Sequence, residues 1–369
     1  MLVGSPGAGA RGYFVLDVSR PAQFSESLAQ ATVLVDATGD DPPDPDIGYI
    51  VSEPAPALPG AAASQVVRLN DDRWAAVMGN GVGSRGQMPV LLLQYLDKTR
   101  EMHRIAPACA SAPAPCPWRG DNGLAAPALI DTDGDGRADV AYAGDLLGHV
   151  WKFDIADRNP QRWKVAFGGA PLFTARDADG HAQAIVAAPT WLPHPQGGVM
   201  LGIGTGRLLT EADRADRQTH TLYGLHDDGT GPVNRPDEPK RPLTLVRPGD
   251  TSPARGWYFD LPSPGERMLQ PPLYLAGRKV VFRTTGQAQD YLTVLDLVTG
   301  RAPAAPVLVR PVTPTDAAGD GSRIALPKGG FAMVAGTDSA ALLSASSPDT
   351  IRLNKGVGRG RRVGWRRLQ

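Results

Sequence analysis

A pair of short apolar runs, the first ending in glycine and the second closing on Asp or His, recurs along this chain and restricts its fold more than any other feature. The pairs are 74–81 (Trp-Ala-Ala-Val-Met-Gly-Asn-Gly) with 90–97, 140–145 with 149–155, 199–206 with 220–226, and 279–284 with 291–297. A reduced unit, Arg11 to Val18, precedes them, and Gly330 to Ala335 begins what reads as a sixth. Their second runs are spaced about sixty to eighty residues apart, against roughly 40–50 for compact propeller blades, and the excess is taken up by inserted loops. Few stretches carry a helical apolar period, and 43 Gly and 35 Pro favour turns over long helices. A β unit that cannot bury both faces alone is stabilised by radial stacking on its neighbours. The expectation is an all-β chain, a modified β-propeller with five to six visible units and long inter-strand loops.

The feature richest in chemistry is Asp131-Thr132-Asp133-Gly134-Asp135-Gly136-Arg137-Ala138-Asp139. Carboxylates fall at loop positions 1, 3, 5 and 9, with glycine at position 6 and the Arg137 carbonyl at position 7. A hard cation with a large oxygen shell needs this alternation. The spacing follows the first half of an EF-hand, yet position 12 is Tyr142 where an EF-hand carries a bidentate Glu. The flanks, 125–130 and 140–155, read as strands and not helices. The predicted centre is therefore a Ca2+ loop within β structure, held by Asp131, Asp133, Asp135, the Arg137 backbone carbonyl and Asp139. Empty, these carboxylates repel one another, and the ion offsets that repulsion. Extracellular calcium modules bind at roughly 10⁻⁴–10⁻³ M and sensor sites at roughly 10⁻⁷–10⁻⁵ M; the ligand charge here predicts the tighter group. Binding is expected to order residues 129–142 and to stiffen the blade that follows.

Formal net charge is zero, so no global field draws the chain to nucleic acid or an anionic membrane. The exception is 355–369, with five arginines and no acid, read as a solvated basic closing segment with a polyanion contact as the alternative. No apolar run is long enough to span a bilayer, and no basic-then-apolar leader opens the chain. Taken alone that reads as cytoplasmic; the alternative is a piece of a larger exported protein. Cys109 and Cys116 lie in the Pro/Ala-rich stretch 106–118. They close a small loop in an oxidising compartment and remain two thiols in a reducing one. The run 40–46 is also Asp-rich, but its prolines stiffen the backbone and its carboxylates do not alternate, so it is not read as a metal site. Gly202-Ile203-Gly204-Thr205-Gly206 imitates part of a dinucleotide fingerprint; its third glycine comes too early, and a polar loop is expected after it. The six histidines lack close ligand spacing and no serine sits in a nucleophile elbow. No catalytic apparatus is expected.

Several segments, in order, resemble one family. They include Asp46-Ile47-Gly48-Tyr49, Val77 to Gly81, Asn122-Gly123-Leu124-Ala125 running into the Asp loop, Ala143 to Asp154, Pro171 to Arg176, His194 to Gly198, Gly204 to Arg207, Gly256 to Pro262 with Gly265-Glu266-Arg267, and the closing Gly360 to Leu368. Together these look like the C-terminal propeller of the PilY family of type IV pilus biogenesis factors and tip adhesins, whose neisserial members are called PilC. The resemblance covers essentially the whole chain. It implies a calcium-binding modified β-propeller at the C-terminus of a large exported protein, here without its first blade or blades. It further implies that calcium occupancy tunes pilus extension against retraction, with roles in priming assembly, adhesion, twitching motility and surface sensing. The implied partners are pilins or minor pilins at the pilus tip and a host-surface receptor; the implied place is the periplasm, outer membrane or pilus tip. Two other readings compete. A quinone (PQQ)-type periplasmic dehydrogenase is also a calcium-containing propeller, and the strand 291–300 resembles theirs; it needs a general base beside a cofactor-bound calcium. A generic cell-surface propeller would use its calcium for structure alone.

Overall fold

The computed structural model describes residues 1–39, 44–55, 65–109, 116–233, 244–245, 255–303, 307–309, 322–328, 331–335, 339–344 and 347–354. For 244–245, 308–309 and the strands beyond 330, only the backbone is described. The basic segment 355–369, most of the Asp-rich run 40–46 and the middle of 106–118 lie outside these residues.

The described strands form six sheets that follow one another along the chain. The first has three strands, Leu2–Gly4, Phe14–Leu16 and Val33–Asp36. The second is built on Trp74–Gly79 and Leu91–Tyr95, flanked by Val66–Leu69 and Met102–Ile105. The third holds Ala128–Ile130, Val140–Gly144 and His149–Asp154. The fourth is centred on Val199–Gly204 and Thr221–Asp227, the fifth on Lys279–Thr285 and Gln289–Asp296, and the sixth on Phe331–Ala335, Ser339–Ser344 and Ser347–Asn354. Each recurring pair is thus an antiparallel hairpin at the heart of one sheet, with Ala75 opposite Tyr95, Val140 opposite Asp154 and Val280 opposite Leu295.

The pairs are apolar throughout because both faces are covered. Alternate residues of a strand point to opposite faces. In the second sheet Ala75, Val77, Leu91 and Leu93 pack with Ala141, Trp151 and Phe153 of the third. Their alternates Ala76, Met78 and Leu92 pack with Tyr13 and Val15 of the first. The third and fourth sheets meet through Tyr142, Val150, Leu201 and Tyr223, and the fourth and fifth through Met200, Trp257, Val280 and Phe282. Buried aromatic rings send their polar tips across these seams, as their desolvated O–H and N–H groups require. Tyr13 donates to Gln94 Oε1 at 2.6 Å, Tyr142 to Asp227 Oδ2 at 2.6 Å, and Trp257 Nε1 to the Leu297 carbonyl at 2.7 Å.

The glycines that end Trp74–Gly79, Val140–Gly144 and Val199–Gly204 have a steric reason, clearest at Gly79. A Cβ there would lie 2.0 Å from the Ala125 carbonyl oxygen, where the chain crosses from the second sheet to the third. One expectation needs correcting. The stretch after Gly206 holds a one-turn helix, Glu211–Ala215, where a polar loop was expected. Its reason is local: Thr210 and Asp213 form a reciprocal capping box. No βαβ unit results, since the strands on either side pair antiparallel.

Candidate metal centre

Residues 131–139 connect two antiparallel neighbours of the third sheet, Ala128–Ile130 and Val140–Gly144, with Ile130 opposite Val140. The strands bring the loop's ends together, and the Asp139 amide donates to the Ile130 carbonyl at 2.9 Å. Within the loop, Asp131 accepts from the Gly134 amide at 2.7 Å on one carboxylate oxygen and from the Gly136 amide at 2.8 Å on the other. Gly136 takes φ 87° to make the bend, a region that costs glycine little.

This winding gathers Asp131, Asp133 and Asp139, each presenting an oxygen within 4.8 Å of the others'. Asp135 is not brought into that group: its Oδ2 accepts from Arg137 Nη1 at 2.6 Å. Desolvation pushes the Asp135 carboxyl up, but the Arg137 backbone and guanidinium together outweigh it and hold the group below the usual carboxylate range. Arg137 also reaches Asp72, at 2.9 Å from Nε and 2.5 Å from Nη2. Tyr142, at the EF-hand's Glu position, is a core residue whose hydroxyl is committed to Asp227. It takes no part in the shell.

The loop belongs to two sheets at once. Arg137–Ala138 pairs in parallel with Val66–Leu69 of the second sheet, Arg68 opposite Arg137 and Leu69 opposite Ala138. Just past that strand, the Asn70 side-chain amide donates to Asp139 Oδ1 at 2.9 Å, to the Ala138 carbonyl at 3.1 Å and to the Ile155 carbonyl at 3.1 Å. Asp139 Oδ2 accepts from the Thr132 amide at 2.8 Å and its hydroxyl at 2.6 Å. Sequence reading missed Asn70 and Asp72. The only cue was a polar Asn-Asp-Asp turn some sixty residues upstream, with nothing local to tie it to the loop.

The donor set is oxygen alone: three converging carboxylates, a fourth beside them paired with Arg137, and no sulfur or imidazole. That chemistry fits a hard divalent cation of the calcium class and not a thiolate- or imidazole-seeking metal. Cys109 and Cys116 are joined in a disulfide with Cα atoms 4.9 Å apart. No helix among the described residues is long and apolar enough to cross a membrane.

Six successive sheets, the first five packed seam against seam, and an oxygen-lined loop define a β-propeller with a candidate cation centre at the junction of two blades. A family model described as the PilY1 beta-propeller domain matches residues 1–238. This chain belongs to that family. It is 32% identical over 341 residues to a type IV pilus biogenesis factor PilY1 homolog of Xylella fastidiosa, covering 82% of this chain and 22% of that one. It is 36% identical over 249 residues to type IV pilus biogenesis factor PilY1 of Pseudomonas aeruginosa strain PAO1, covering 62% of this chain and 19% of that one. The chain thus spans about a fifth of the length of these relatives. The crystal structure of the Pseudomonas aeruginosa PilY1 C-terminal domain superposes with TM-score 0.72 at 26% identity, over 96% of this chain and 80% of that one.

Proposed function

We propose that this propeller is the calcium-responsive, non-enzymatic module of a type IV pilus biogenesis factor, acting with pilins or minor pilins at the cell surface. Family membership supports the pilus setting, and the Cys109–Cys116 disulfide suits the oxidising side of a membrane. The observation that carries the calcium reading is the convergence of Asp131, Asp133 and Asp139 in a loop that hydrogen-bonds to two blades.

Asp131, Asp133, Asp139 and the Arg137 carbonyl would hold the ion, and Asp135 would join by exchanging its Arg137 contact for it. Arg137 keeps Asp72 as its partner in that exchange. A bound Ca2+ supplies positive charge that cancels the repulsion among the carboxylates. With it, the loop residues between Ile130 and Val140 stay wound, so Arg137–Ala138 remains seated on Val66–Leu69. Calcium therefore stiffens the seam between two blades. A partner that docks across that seam reads calcium as a change in surface rigidity, and extension against retraction, twitching and adhesion follow from whether it docks.

The test is thermal melting in calcium and in chelator. At calcium a hundredfold above Kd, binding to the folded state alone adds about 2.7 kcal/mol, a rise of several degrees. Asp133→Ala should melt near the wild type in chelator and gain nothing from calcium. A wild-type melting point that ignores calcium would sink the proposal.

A further inference from the structure

A second cluster of ligating side chains sits one seam further on, between the third and fourth sheets. A hairpin tip follows Phe173–Thr174, closed by the Arg176–Ala182 bridge. From it Asp177, Asp179 and His181 each present one ligating atom within 4.8 Å of the others'. Asp177 is buried, and its Oδ2 lies 3.4 Å from His181 Nδ1 while accepting from Gln218 Nε2 at 2.9 Å. Its Oδ1 accepts from the amides of Asp179 and His181, at 3.0 and 2.8 Å. The cluster opens on a cavity of about 670 Å³, whose walls include Asp216, Arg217 and Asp260.

The independent observation is His220. Only 2% of it is exposed, and neither ring nitrogen has a hydrogen-bond partner. Its Nε2 lies 3.9 Å from Asp216 Oδ2, a carboxylate of the cavity wall. A buried imidazole left unpaired is costly. It sits behind the cavity wall, next to Asp216, with both ring nitrogens unsatisfied.

The geometry points to a second divalent-cation site on Asp177, Asp179 and His181, of the zinc class. Two carboxylates and an imidazole form a borderline donor set that suits Zn2+ better than Ca2+. With ligands at about 2.0–2.1 Å, a tetrahedral Zn2+ holds neighbouring donors about 3.3–3.4 Å apart, the separation between Asp177 Oδ2 and His181 Nδ1. Gln218, donating to Asp177 from the fourth sheet's side, orients that carboxylate as outer partners of metal ligands do. The ion would fasten the third blade to the fourth, as calcium fastens the second to the third.

The experiment is calorimetric titration of Zn2+ into the tag-free chain already saturated with calcium. One Zn2+ should bind, with the affinity falling at least about tenfold in His181→Ala and in Asp179→Asn, since loss of even an outer partner commonly costs that much. Both side chains are exposed, so both variants should melt with the wild type in chelator. Asp133→Ala should bind Zn2+ unchanged, which separates this site from the calcium loop. The inference fails if no Zn2+ binds to the calcium-saturated chain, or if both hairpin variants bind it as tightly as the wild type.

Discussion

At the scale of single residues, the candidate calcium centre depends on side chains that do not ligate. Asn70 fixes Asp139 from the neighbouring blade, spending both amide hydrogens on three acceptors. Asn70→Ala should weaken calcium binding about 10- to 100-fold, the usual loss for an outer partner of a ligand, measured by titration; an unchanged Kd would show that the brace is incidental. His220 gives a different readout. Burial, with the charge of Arg267 beside it, holds its imidazole down to about 4, against upward pulls from Asp216, Asp177 and Asp213. The unfolded chain takes up this proton near pH 6.5 and the folded chain refuses it until about 4. Stability should therefore be whole above pH 6.5 and fall as the pH drops toward 4, by on the order of 3 kcal/mol. Denaturant melts in chelator should show that loss in the wild type and a flatter profile in His220→Gln; parallel profiles would contradict the assignment. The Asp alternation was legible in the sequence because a loop's ligands are contiguous. Its two braces were not, because Asn70 and Asp72 meet the loop only through the parallel pairing of two strands far apart in the chain.

At the scale of elements, the apolar pairs showed where each sheet has its heart, and the structure places a hairpin at every one of them. Flanking strands were harder to see. Arg137–Ala138 and Lys164–Val165 are two residues long and carry no periodicity. The loop was also expected to stiffen the blade that follows it; its pairing with Val66–Leu69 shows that it grips the preceding blade as well. The strand-ending glycines make a sharp prediction. Gly79→Ala puts a methyl 2.0 Å from the Ala125 carbonyl oxygen, backbone that cannot rotate aside. The cost should exceed about 1–3 kcal/mol, the usual penalty for overpacking, in equilibrium unfolding. A variant as stable as the wild type would mean that the crossing at 124–125 is loose.

At the scale of the whole molecule, stability is distributed along a chain of seams, each with its own apolar filling and its own polar ties. The first and second sheets are tied by Tyr13 to Gln94, the third and fourth by Tyr142 and Lys152 to Asp227, the fourth and fifth by Trp257 to Leu297. The seam between the second and third sheets is closed by an acidic loop that a cation can tighten. In the proposed function, the calcium response falls where these two blades meet, and the propeller registers its surroundings through that seam. Hydrogen exchange of the intact chain in calcium and in chelator tests this most directly. The account predicts that calcium slows exchange together in 66–69 of the second sheet and in 128–142 of the third. Slowing confined to 131–136, with 66–69 exchanging at the same rate in both conditions, would contradict it.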